Sequence, residues 1–377
     1  MKTENSIGRV NLYVKPTYAV LMPAWQNTSK SRTLLQRQSE INLIDNKHEG
    51  KLSKKSITKL RNSINWLVAS SKKKKVYSEK RQRHYYFKVN FVTLTLPSSV
   101  QYISDHKFKS VLLHNFINQM RYRYGLKNFV WKVETQENGN IHAHFTTDTY
   151  LPWDGVRFVW NRILIKNGLM HEYTNKHLAM SFDDYNKTYN AEGKHDIEVV
   201  RKRYEKGVSE GWQNPNSTDV HAVYKVKDIA AYLATYMSKK EEGRRAITGR
   251  LWSCSYSISE ANKQYISMPY DYDPIVIDEM YNSTFTTLPI EIKDKETGEM
   301  FKIGEMFTYR PENVKKIKNT RFAEFYKKIL FKIRHNISFD FDDDLKDESF
   351  YTKQFENKSK YSIENIPVDR PQLALPF

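Results

Sequence analysis

The stretch "WKVETQENGNIHAHF", Trp131–Phe145, decides how this chain reads. Alternating apolar and polar residues flank Asn138-Gly139, the pair that most favours a tight hairpin because both residues tolerate positive φ. Two antiparallel strands are therefore expected, "KNFVWKVETQ" and "NIHAHFTTDT". Alternation in the second places His142 and His144 on one face, with Ile141, Ala143 and Phe145 on the other, toward a core. The turn decides what faces the histidines. With a three-residue loop Glu137-Asn138-Gly139 and Gly139 left-handed, Gln136 pairs with Asn140, Glu134 faces His142 and Lys132 faces His144. With a two-residue turn the register slips by one, Glu134 leaves that face and Glu137 joins it. The first arrangement gives two imidazoles and a carboxylate, a ligand set with open positions for a metal. The candidate metal ligands are His142, His144 and Glu134.

Working outward, "VNFVTLTLPSS" is rich in β-branched and aromatic residues and reads as a buried strand stopping at Pro97. "DHKFKSVLLHNFINQMRYRYG" reads as a helix closed by Gly125, and "WDGVRFVWNRILIKNG" as one closed by Gly168. Residues 180–218 are polar and read as an irregular surface insertion before the strand "STDVHAVYKV". "KDIAAYLATYMSKK" is a helix, with Asp228 placed to cap it. Upstream, Ile57, Leu60, Ile64, Leu67 and Val68 stand at helical spacing in an amphipathic helix with a basic face. The cationic run "SKKKKVYSEKRQRHYYFK" that follows reads as a solvated loop, or as a strip that tracks a nucleic-acid backbone. Downstream, "PIEIKDKETGEMFKIG" suggests a hairpin near Gly298, and "ENVKKIKNTRFAEFYKKILFKIRH" a basic helix. This order fits the α+β class: an antiparallel central sheet with flanking helices. The expected division is a basic N-terminal extension over 1–84, a core over 85–265, an accessory region over 266–345 and a flexible tail over 346–377.

The tyrosine-bearing helix adds chemistry. Tyr232 and Tyr236 stand at i and i+4, so both hydroxyls leave one helix face, with Lys239 and Lys240 following. Aromatic pairs at this spacing commonly serve packing alone. A phenol becomes a nucleophile when its proton is managed, and its ordinary pKa near 10 calls for a cation nearby.

Sixty-one Lys and Arg against 43 Asp and Glu give a net charge of +18, which points to a polyanionic partner, nucleic acid first. The one cysteine, Cys254, excludes an intramolecular disulfide framework and fits a reducing compartment. The start "MKTENSIGRV" has no apolar secretory region, and no stretch reaches the length a membrane helix needs. A soluble, cytoplasmic protein with no membrane partner is expected.

Together the "TLT" strand around Thr93–Thr95, "ETQENGNIHAH" and "YLATYMSKK" resemble the three motifs of the HUH endonucleases. The match is to their two-tyrosine replication initiators of single-stranded DNA phages and rolling-circle plasmids. "GRLWSCS", residues 249–255, also looks like the strand that closes such cores, and the resemblance spans about residues 85–260. It implies a divalent cofactor, Mg²⁺ or Mn²⁺, on His142, His144 and Glu134. It further implies metal-dependent transesterification of a single-stranded DNA origin by Tyr232 or Tyr236, leaving a 5′-phosphotyrosine and a free 3′-OH. Where that family has lysine between the tyrosines, this chain has Thr235, and Lys239 or Lys240 is the expected substitute cation.

A relaxase or transposase of the same superfamily would carry the same motifs. A non-catalytic nucleic-acid-binding protein would share the charge and aromatics but would not cleave. A histidine-triad hydrolase would need a third alternating histidine, where this chain has Phe145-Thr146. The sequence has no G-x-x-x-x-G-K-[ST] phosphate loop, so strand separation is expected from a host helicase. The terminal "QLALPF", Gln372–Phe377, resembles peptides that dock on the DNA polymerase sliding clamp.

Overall fold

The computed structural model describes residues 9–23, 50, 52–78, 82–100, 103–223, 229–238, 245–269, 286–293, 298–316 and 321–339. The central sheet is antiparallel throughout, in the order β8-β5-β7-β6-β9. Its strands are β5 (Val89–Leu94), β6 (Phe129–Thr135), β7 (Ile141–Thr147), β8 (Thr218–Val223) and β9 (Trp252–Cys254). A second antiparallel sheet, β10-β1-β2-β12-β11, joins β1 (Arg9–Val14), β2 (Tyr18–Pro23), β10 (Tyr265–Pro269), β11 (Thr286–Lys293) and β12 (Met300–Thr308). Residues 1–84 and 266–345, set apart as flanking regions in the sequence, thus contribute strands to one sheet. The class is α+β, as the element order implied.

The cationic run is not a loop. It folds into a separate hairpin, β3 (Lys74–Ser78) with β4 (Arg83–Phe87). The reason is legible afterwards: Val76, Tyr85 and Phe87 alternate with the lysines and turn toward the body of the protein, where Phe87 is buried.

The helices are α1 (Lys54–Ser70), α2, α3 (Trp153–Lys166), α4 (His171–Leu178), α5 (Phe182–Tyr189), α6 (Ile197–Ser209), α7 (Ile229–Ser238), α8 (Tyr256–Ala261), α9 (Pro311–Lys316) and α10 (Arg321–His335). Helix α2 runs as one turn of α-helix (Asp105–Lys107), a π-helical stretch (Phe108–Leu113) and a further α-helix (His114–Tyr124). It ends at Gly125 in the left-handed region, φ 63°, whose N–H returns to the Met120 and Arg121 carbonyls. Residues 171–209 form α4, α5 and α6, where an irregular insertion was expected. Their polar surface hid a small aromatic core in which Tyr173, Tyr189 and Trp212 surround the buried His177.

The two faces of the central sheet are treated differently. Val92, Leu94, Trp131, Val133, Ala143 and Phe145 point to one side and meet α2 and α3 in an apolar core with Phe116 and Trp160. On the other side Val89, Phe91 and Val130 join Leu60, Ile64 and Leu67 of α1 and Leu233 and Met237 of α7. Helix α1 also borders α8 and α10. Polar pins fix it: Trp252 Nε1 donates to Ser56 Oγ (2.7 Å), Asn262 Nδ2 to Ser63 Oγ (2.8 Å) and Arg334 Nε to the Ser70 carbonyl (2.6 Å). Its N-terminus is capped by Ser53.

Among the described residues no helix is long and apolar enough to cross a membrane. The Asp228 cap and the Gln372–Phe377 peptide lie outside the described residues.

Burial on β9 pushes the Cys254 thiol up to about 11. Alkylation of the native protein at pH 8 should therefore run about a hundredfold slower than for a thiol of ordinary acidity, and should recover that factor on unfolding. Iodoacetamide labelling followed by mass spectrometry, with and without denaturant, measures this directly.

Candidate metal and tyrosine site

The hairpin adopts the first of its two registers. Glu134 pairs with His142 and Lys132 with His144 across β6 and β7. The loop is the three-residue type: Gln136 N–H donates to the Asn140 carbonyl (2.7 Å), and Gly139 N–H to the Gln136 carbonyl (2.9 Å). Gly139 sits at φ 79°, which a residue with a Cβ rarely adopts. Asn138 Oδ1 accepts from Asn140 N–H (3.0 Å) and closes the turn.

Three potential ligands converge. Glu134 Oε1 lies 3.0 Å from His142 Nε2 and 2.5 Å from His144 Nε2. Side-chain exposures are 12% for Glu134, 13% for His142 and 2% for His144. One ligand atom from each falls within 4.8 Å of the others. The second carboxylate oxygen of Glu134 is gripped by the buried Lys132, at 2.6 Å. That grip leaves Oε1 turned to the imidazoles.

These residues fit a divalent cation. Burial lowers the affinity of His144 for a proton below that of an ordinary imidazole, against an opposing pull from Glu134. The ring is therefore neutral at physiological pH, the form that coordinates. Its Nδ1 stands 3.2 Å from Thr93 Oγ1 on β5. With the proton on Nδ1 it donates to that hydroxyl, which aims Nε2 at Glu134. His142 Nδ1 is buried and has no hydrogen-bond partner among the described residues. Apart from Glu134, none of those residues thus claims either nitrogen of that ring. The Glu/His/His group can bind a metal ion; the ligand types do not choose among oxygen- and nitrogen-loving divalent ions.

The tyrosines arrive from α7. Leu233 and Met237 are fully buried, and Thr146 Oγ1 donates to Met237 Sδ (3.4 Å), which seats the helix over β7. Tyr232 and Tyr236 remain 50% and 44% exposed. The Tyr236 ring meets His144 edge-on, centroids 5.1 Å apart at 87°. It also meets Phe91 (5.2 Å, 82°), which in turn stacks on His144 (5.4 Å, 15°). Imidazoles and phenols thus share one face of the sheet. Tyr232 emerges one turn earlier on the same helix. Lys239 and Lys240 lie outside the described residues.

The same face carries residues that the sequence did not single out. Phe91 and Thr93 of β5 lie opposite His221 and Asp219 of β8, which form an exposed pair 2.6 Å apart. Only strand pairing brings these two beside Tyr236, because β8 is more than 120 residues from β5 in the chain, so no local pattern announces them. Arg245 was missed for the same reason. Its Nε donates to the Gly139 carbonyl (2.7 Å), and its guanidinium holds Asp105 through two bonds (2.9 and 3.2 Å).

Thr93→Val removes the hydroxyl that orients His144 and should weaken Mn²⁺ binding about tenfold, with the fold intact. Titration calorimetry and circular dichroism check the two halves of that expectation.

Residues 89–241 match the family model of the replication-associated protein ORF2. That segment contains every residue of the cluster and both tyrosines. Over it the chain matches the rolling-circle replication initiators, the kind that its motif order resembles. The Glu134–His142–His144 group is consistent with their histidine motif. No curated protein and no solved structure matches the chain.

Proposed function

We propose that the chain initiates rolling-circle replication by nicking single-stranded DNA at an origin, with Tyr232 and Tyr236 as nucleophiles. One observation carries the reading: Tyr236 touches the buried His144 ring while its own ring stays half-exposed, so phenol and ligand cluster open onto a common, accessible surface. Tyrosines serving only to pack would be buried, as Leu233 and Met237 are on the same helix.

Glu134, His142 and His144 would hold a divalent ion, Mg²⁺ or Mn²⁺, and when bound that ion supplies Lewis acidity to a phosphate oxygen. The phenol oxygen of Tyr236 or Tyr232 forms the new bond to phosphorus and gives up its proton. The bond from phosphorus to the 3′ oxygen breaks, and that oxygen takes a proton to become the free 3′-OH that primes synthesis. The 5′ phosphate stays on the tyrosine, so bond energy is conserved and no nucleotide is consumed. The other tyrosine, one helical turn away, can attack the regenerated junction without dissociation of the complex. Lys239 and Lys240 follow in sequence and are the proposed cations for the phenolate. Lys132 cannot take that part as placed, since it is engaged with Glu134.

The partners in this reading are a single-stranded origin, a host helicase for strand separation and the polymerase sliding clamp through Gln372–Phe377. The setting is the host cytoplasm.

Incubation with end-labelled single-stranded DNA should give a protein–DNA adduct on a denaturing gel, lost in EDTA and restored by Mg²⁺. Tyr232→Phe and Tyr236→Phe should keep unequal fractions of that adduct, and the double variant should form none. An adduct from the double variant would overturn the assignment. His142→Ala should abolish cleavage at ordinary metal concentration while oligonucleotide binding, read by anisotropy, persists.

A further inference from the structure

The β3–β4 hairpin stands just before the matched segment, which begins at residue 89. Its register is Lys74 with Phe87, Lys75 with Tyr86, Val76 with Tyr85, Tyr77 with His84 and Ser78 with Arg83. Directly paired residues share a face, so the two faces have different compositions. One is fastened to the protein. Phe87 is buried and packs on Tyr150 (5.3 Å), and Lys74 Nζ donates to the Asp148 carbonyl (2.7 Å). The other face carries Lys75, Tyr77, His84 and Tyr86, all exposed, with Tyr77 at 38% and Tyr86 at 42%.

Nothing in the fold requires aromatics there. Tyr77 leans on His84 (5.0 Å), and Lys73 holds its ammonium 4.4 Å above the Tyr86 ring. The result is a rigid ribbon whose open side alternates ring faces with cations. Bases stack on such rings whatever their identity, and phosphates pair with such cations. The position fits as well. Phe87 leads through Lys88 into β5, and Phe91, four residues on, is the residue that meets both His144 and Tyr236. At about 3.3 Å per residue that is roughly 13 Å, so a strand seated at the tyrosines reaches the hairpin within a few nucleotides.

We infer that the open face of this hairpin, through Lys73, Lys75, Tyr77, His84 and Tyr86, is a stacking platform for single-stranded DNA. It extends the path of the strand beyond the tyrosines. The inference rests on the proposed nicking function for the choice of DNA over another polyanion. The occupant is single-stranded because a duplex keeps its base faces stacked internally and offers the rings nothing.

The test is fluorescence anisotropy of the full chain with a labelled oligo(dT) of about 20 nucleotides, long enough to cover more than one stacking site. It is run in EDTA, so binding is read without cleavage. Tyr77→Ala/Tyr86→Ala should raise Kd about tenfold or more. Tyr77→Phe/Tyr86→Phe keeps the rings and should retain affinity, which separates lost stacking from a lost fold. Lys73→Ala/Lys75→Ala should reduce the slope of log affinity against log salt by about 1.4, two phosphates' worth for a single strand. Wild-type affinity in the alanine pair overturns the platform. So does an equal loss in the phenylalanine pair, or a loss confined to the lysine pair, which would leave only an electrostatic strip. Because the readout is binding, it stands apart from the adduct assay. An adduct from wild-type protein together with unchanged hairpin variants sinks the platform alone. Weakened hairpin variants with no adduct from any form sink the nicking reading alone.

Discussion

The site depends on parity in one turn. A strand offers its side chains to alternate faces, so the extra residue in the Glu137–Gly139 loop decides whether Glu134 lies beside the histidines or beneath them. Gly139 makes that loop possible by taking φ 79°. Arg245 then braces it, donating from Nε to the Gly139 carbonyl while its guanidinium grips Asp105 at the start of α2. Burial alone would raise the Asp105 carboxyl, but hydrogen bonds from Arg245 and Thr248 hold it below the usual carboxylate range. The bonded pair is therefore charged at neutral pH. A slip of one residue would drive Lys132 and Glu134 into the apolar core around Phe116 and Trp160, at a cost no nearby partner offsets.

The sheet separates support from chemistry. One face is apolar and carries no site residue; the other gathers Lys132, Glu134, His142, His144, Thr93 and Phe91 under α7. The orientation of α7 is set partly from outside the matched segment, because Leu233 and Met237 share a core with Leu60, Ile64 and Leu67 of α1. Lys132 has a related effect. By occupying one oxygen of Glu134 it fixes which oxygen remains to a metal, a constraint that neither histidine could impose.

Much of this was legible in the sequence because the deciding signals are local. Asn138-Gly139, the alternation through Ile141–Phe145 and the i, i+4 tyrosines each act within a few residues, and each appears where expected. The failures share a cause. Residues 171–209 looked irregular because their few aromatics sit among many charges, yet those aromatics surround His177 well enough to order three helices. The lysines of 72–75 suggested solvent and concealed a strand whose inward residues are Val76, Tyr85 and Phe87. Arg245, Asp219 and His221 acquire their places only through pairing with distant segments, which no window of sequence can display.

The second sheet has a consequence for how the protein is made. Strand β1 lies between β2 and β10, and β2 lies between β1 and β12, so strands translated first find their neighbours only after residues 265–269 and 300–308 have left the ribosome. Helix α1, which backs α7, is in turn held by Arg334 near the end of α10. Contacts this far apart in sequence form late, since the intervening loop must close before they stabilise anything. A nascent chain halted after β9 would have every ligand and both phenols in hand, yet lack the scaffold that steadies the helix bearing them. Assembly of this molecule is thus governed by its last-made strands.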